Sequence, residues 1–161
     1  MRLSTCCRLG VLGVTAAALV CVGGDRAASQ DVSKAPTFGS ARLKAGFEPD
    51  PFKVPDVISG GDIQTDKGGL QAWISNAPDY RLNYTAGEFK LTIKFVGTGD
   101  TTLLINTPDG KWVADDDSDG NLNPRITFAT PKSGQYDIWV GTVPKKNEKG
   151  TLIITELKQD K

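Results

Sequence analysis

The stretch EFKLTIKFV, residues 88–96, alternates between apolar and polar side chains along most of its length. Phe89, Leu91, Ile93 and Phe95 fall on one side, and Lys90, Thr92 and Lys94 on the other. Successive side chains of a strand point to opposite faces, so this period predicts a sheet with one dry face and one wet face. The same alternation recurs in Tyr80, Leu82 and Tyr84, in Ile126 with Phe128, and in Tyr136, Ile138 and Val140. Weaker strand patterns occupy 37–43, 54–58, 72–75, 102–106 and 151–157, and Trp112-Val113-Ala114 also reads as strand.

Turn chemistry separates these runs at short, regular intervals: EPDP at 48–51, SGG at 59–61, DKGG at 66–69, GTGD at 97–100, TPDG at 107–110 and PKSG at 131–134. Glycine supplies left-handed backbone, and proline presets a turn. About nine short strands with no helical period between them predict an all-β fold, an antiparallel β-sandwich, over residues 36–161. Residues 30–35 read as a flexible leader, and no repeat or second domain is visible.

The first 29 residues follow a different logic. Arg2 and Arg8 precede an apolar run, Leu9 to Val22, and then the small-residue stretch AAS. That order is the one a secretory signal peptide has, and the run falls short of the ~20 residues a spanning helix needs. Cleavage after Ser29 puts Ala27 and Ser29 at the small positions, with a cut after Ala28 as the alternative. The expectation is a secreted or periplasmic protein, free of the membrane once the signal is cut.

Cleavage would also narrow the chemistry. Cys6, Cys7 and Cys21, the three cysteines of the chain, lie in the signal, and there is no histidine anywhere. Ser-His-Asp and Cys-His catalysis and HExxH zinc sites are thereby excluded. Loss of Arg2, Arg8, Arg26 and Asp25 leaves 16 basic and 18 acidic residues. That balance gives no electrostatic case for nucleic acid.

Residues 99–142, GDTTLLINTPDGKWVADDDSDGNLNPRITFATPKSGQYDIWVGT, resemble the bacterial pre-peptidase C-terminal domain. The features that carry the resemblance are Asp100 opening a strand, the turn Pro108-Asp109-Gly110, the loop Asp116-Asp117-Ser118, the pair Ile126 and Phe128, and Gly134 with Tyr136. LKAGFEPDPF and APDYRLNYTAG upstream look like secreted stand-alone relatives of that domain. The resemblance implies a jelly-roll-like sandwich similar to collagen-binding domains, often calcium-binding and not itself catalytic. Where such relatives often carry two cysteines this chain has Leu70 and Ala114, so a metal or an apolar contact would replace the staple.

The loop ADDDSDGNLNP, residues 114–124, is the candidate metal site. Asp115, Asp117 and Asp119 alternate ahead of Gly120, like the first half of an EF-hand loop. The twelfth position is Ile126 instead of a bidentate glutamate, so a complete EF-hand is out. Calcium accepts about six to eight oxygens from any converging carboxylates and carbonyls, and two like charges ~4 Å apart repel by about 1 kcal/mol in water. The candidate calcium ligands are therefore Asp115, Asp117, Asp119 and Asn121, with Asp100 added by the resemblance. The alternative is a solvated turn capped by its own side chains.

Two further readings remain. Trp112 precedes the acidic loop, and Trp139 has the opposite parity to its apolar neighbours. Both are candidate contacts for an extracellular protein or glycan, against the alternative of core packing. A hydrolase would need two carboxylates alone, about 5 to 9.5 Å apart, and nothing in the spacing singles out such a pair. The expectation is a non-catalytic, calcium-stabilised binding or accessory module. A carbohydrate- or matrix-binding module with incidental metal, and a small carboxylate hydrolase, are its rivals.

Overall fold

The computed structural model describes residues 29–157. All of the candidate signal peptide but Ser29, with all three cysteines, lies outside the described residues. Eleven strands are formed: β1 (Ser40–Lys44), β2 (Phe52–Ser59), β3 (Ile63–Thr65), β4 (Ala72–Ile74), β5 (Tyr80–Thr85), β6 (Leu91–Gly97), β7 (Thr101–Asn106), β8 (Trp112–Asp115), β9 (Arg125–Phe128), β10 (Gly134–Thr142) and β11 (Glu148–Thr155). A 3-10 turn, Lys67–Gly69, joins β3 to β4.

Two sheets stack face to face. The four-stranded sheet runs β2-β11-β6-β9, and the larger sheet is organised around β10. One edge of β10 pairs with β7, which carries β8. The other edge pairs first with β5, over Gly134–Ile138, and then with β4 at Thr142. All the pairings are antiparallel save one, β1 beside β5. The expected sandwich is present, with that parallel edge and with β3 added to the strands legible in the sequence.

Alternation built the core. Tyr80, Leu82 and Tyr84 of β5, Ile138 and Val140 of β10, and Leu103 and Ile105 of β7 face Leu91, Ile93 and Phe95 of β6 and Leu152 and Ile154 of β11. Each fully buried aliphatic or aromatic side chain of this kind contributes about 1.5–3 kcal/mol relative to exposure. Phe89 departs from its pattern: β6 begins at Leu91, and Phe89 is 53% exposed.

A second, smaller cluster lies on the outer face of the large sheet. Trp139 of β10 and Leu104 of β7 point away from the main core, and Leu70, Ala72 and Ile74 fold over them. The β3–β4 hairpin thus works as a flap on the sheet to which it belongs. Its turn rests on β8, where a side-chain carbon on Gly68 (φ +66°) would lie 2.8 Å from Ala114 Cβ. Leu70 and Ala114 accordingly fall in one apolar cluster.

The segment 30–35, expected as a flexible leader, is docked. Asp31 N–H donates to Asn76 O at 2.9 Å, and the Arg81 guanidinium donates to Val32 O at 2.7 Å and Lys34 O at 3.0 Å. Partnered backbone of this kind is held in place.

Candidate functional site

The acidic loop links β8 to β9 and is folded by its own polar groups. Gly120, Asn121 and Leu122 have φ of +79°, +53° and +60°, a left-handed run that asparagine tolerates and leucine adopts at a cost of about 1–2 kcal/mol. Asp119 N–H donates to Asn123 O at 3.0 Å, and Gly120 N–H to Asp117 O at 2.9 Å. Asn123 ties the loop to the β6 end, its Oδ1 accepting Gly97 N–H at 2.9 Å. Thr101 N–H donates to Leu122 O at 3.1 Å from the start of β7.

These constraints separate the expected calcium ligands. Asp115 turns back on the chain: Oδ2 accepts Arg125 N–H at 2.8 Å and Ser118 N–H at 3.1 Å, and Oδ1 accepts the Ser118 hydroxyl at 2.5 Å. Asp119 lies between two cations, 3.0 Å from Lys94 Nζ and 3.3 Å from an Arg125 terminal nitrogen. Asn121 is exposed, and its carbonyl accepts the Asn123 amide at 3.1 Å. Asp116 and Asp117 are exposed. Among the described residues no three acidic side chains come close enough together to hold a metal ion.

The reason is a pair of cations on neighbouring strands. Lys94 and Arg125 stand opposite each other on β6 and β9, both on the wet face and both beside the loop. A carboxylate on that side meets two cations before it can meet its acidic neighbours. Asp100 behaves otherwise: burial raises its carboxyl above the usual range, and Asp117 and then Asp116 raise it further, with Lys146 opposing. Asp100 thus feels the charges of Asp117 and Asp116 across the loop.

The tryptophans also separate. Trp139 is fully buried beneath the hairpin, so its ring is closed to an outside ligand and the expected contact role does not hold for it. Trp112 is half-buried, its ring centroid 5.3 Å from that of Trp139 at 43°, with Lys67 Nζ 4.7 Å from the ring centroid. Trp73, which the alternation did not single out, is half-buried on the hairpin's outer side with Lys145 Nζ 4.5 Å from its ring centroid.

Other carboxylates are built into the architecture. Asp79 is buried and accepts Val140 N–H at 2.7 Å and the Ser75 hydroxyl at 3.5 Å; burial pushes its carboxyl from 3.8 up to about 8 against those bonds. Asp137 is paired with Arg81 at 2.6 Å. Glu148 accepts Thr98 Oγ1 at 2.5 Å and pairs with Lys146. Among the described residues no helix is long and apolar enough to cross a membrane. The chain matches no family model, and comparison with curated proteins finds no significant relative.

Proposed function

We infer that this is a secreted or periplasmic, non-catalytic β-sandwich module of the pre-peptidase C-terminal kind, acting as a binding or accessory domain outside the cell. The observation that carries the reading is how its best-placed carboxylates are used. Asp79 caps β10, Asp115 clips the acidic loop, Asp119 bridges Lys94 and Arg125, and Asp137 holds Arg81. General acid–base work needs a carboxyl free to exchange a proton with a substrate, and these four are held by hydrogen bonds within the fold. Turnover assays on glycoside, phosphodiester and peptide panels test this. Activity above background that Asp117→Asn or Asp100→Asn removes, with folding intact, would overturn it.

Calcium enters this reading through a different set from the one the sequence suggested, with Asp116 added and Asp115 and Asp119 removed. Asp115 and Asp119 do not fit as ligands, because local donors already occupy their oxygens. Asp117 and Asp116 raise the electrostatic cost of charging Asp100, which a divalent cation would relieve, but as they stand the three do not come close enough together to hold an ion, so binding would require the exposed Asp116 and Asp117 to draw in toward Asp100. A bound ion would supply charge neutralisation and a clamp between the loop and the β6–β7 turn.

A further inference from the structure

At one side of the sandwich β8 and β9 are the outer strands of the two sheets, each paired along one edge only. A pocket of about 190 Å³ opens there, with Val113 of β8 and Phe128 of β9 on its walls, Tyr136 of β10 behind them and Pro108 of the β7–β8 turn at one side. Phe128 and Tyr136 already meet edge to face, their ring centroids 5.4 Å apart at 61°. An apolar cavity of about 150 Å³ holds a benzene molecule. This pocket therefore has room for one further aromatic ring, placed to extend an edge-to-face cluster.

Two turns hold the pocket in shape. Gly134 (φ +138°) lets the 131–134 turn close on the β7–β8 turn, since a side-chain carbon there would lie 2.7 Å from Pro108 Cβ. The Tyr136 hydroxyl accepts Lys132 N–H at 2.9 Å and donates to Lys132 O at 2.8 Å. Asp109 accepts the Lys132 ammonium at 2.8 Å and the Thr107 hydroxyl at 2.7 Å, tying one turn to the other. A mouth fixed beforehand lowers the ordering cost of binding.

The rim carries an excess of one sign. Lys111 Nζ and Lys132 Nζ lie 3.4 and 2.8 Å from the same Asp109 carboxylate oxygen, so two ammonium groups share one anion and a single positive charge is left over. Both lysine side chains are largely in water, at 76% and 62% exposure. Exposed ion pairs are weakly held, and these ammonium groups can turn to a carboxylate at the mouth. We propose that this pocket binds a single aromatic ring bearing a carboxylate on a short arm. The ring fits among Val113, Phe128 and Tyr136, and the carboxylate meets Lys132 and Lys111. The proposal rests on the reading of the chain as a non-catalytic binding module and names the ligand class of that module.

The test is titration of 3-phenylpropanoate into the purified protein, followed by calorimetry and by amide NMR shifts. The acid should saturate one site, with shifts at Val113, Phe128 and Tyr136. Its uncharged amide should bind about tenfold more weakly, as should the acid to Lys132→Gln. Lys132 is exposed, so its unfolding midpoint should stay put, and Lys111→Gln gives a second measure of the same charge. Lys145→Gln, beyond the other end of β10, should leave affinity unchanged. A tripeptide ending in phenylalanine that binds as tightly would make a polypeptide C-terminus the source of the ligand, and one that binds far more weakly would make it a free acid. No saturation, shifts confined elsewhere, or equal affinity for acid and amide would overturn the site. Conversion of the bound acid to a new compound would keep the pocket while overturning the non-catalytic reading.

Discussion

Asp79 and Val140 are joined by a 2.7 Å hydrogen bond from the β10 main-chain N–H to a carboxyl that is fully buried. Val140 sits where the neighbour of β10 changes from β5 to β4, so its N–H has no strand to meet. The side chain closes the gap that the branching of the sheet leaves open.

That arrangement fixes a pH dependence. The folded state holds the Asp79 carboxyl near 8 against an ordinary 3.8, so between those values the folded chain binds the proton that the unfolded chain has lost. Stability from this group is fully present below 3.8 and is lost as pH rises toward 8. Urea midpoints across that range should fall with pH, and Asp79→Asn should flatten the fall. Asp79→Ala, which orphans Val140 N–H, should cost about 1–3 kcal/mol.

Asp119 should matter to folding whether or not calcium is present. Its oxygens lie within 3.0 and 3.3 Å of Lys94 and Arg125, at side-chain exposures of 15–21%. Asp119→Ala leaves two half-buried cations facing each other and should lower stability by about 1–2 kcal/mol in metal-free denaturation. A loss that appears only with calcium added would contradict the ion-pair role.

Calcium at millimolar concentration should raise the unfolding midpoint where magnesium does not, because an ion that binds only the folded chain stabilises it by mass action. Asp100→Asn and Asp117→Asn should abolish the rise. Asp115→Asn should lower the metal-free midpoint, since Asp115 clips Arg125 and Ser118. An unchanged midpoint in calcium would make the loop a self-capped turn.

Trp139→Ala should behave as a core deletion. Emptying a fully buried indole from under the hairpin costs about 3–5 kcal/mol, read as a lower denaturation midpoint. Trp112→Ala should cost less, because Trp112 keeps part of its surface in water.

The strands were legible because their signal is local. Period two placed Leu91, Ile93 and Phe95, and Tyr136, Ile138 and Val140, on common faces, and each of these is buried. Parity even put Trp139 on the outer face. It could not say that Leu70, Ala72 and Ile74 would close over that face, since a cover arriving from far along the chain leaves no mark on the strand beneath it. Phe89 reads as core and is exposed for the complementary reason: the strand begins after it.

The sequence by itself determined an all-β chain of short strands, the residues of its main core, a neutral charge balance and the absence of imidazole chemistry. Each depends only on composition or on neighbours a few residues apart. The tertiary structure decided the parallel edge at β1, the docked N-terminal segment, the pocket between β8 and β9 and the direction of every loop carboxylate. Asp115 and Asp119 look alike as letters to Asp117, but Arg125 and Lys94 arrive from other strands and claim them. Side-chain direction in a loop is set by the charges that folding brings within about 3 Å, and that proximity is a property of the packed sheets.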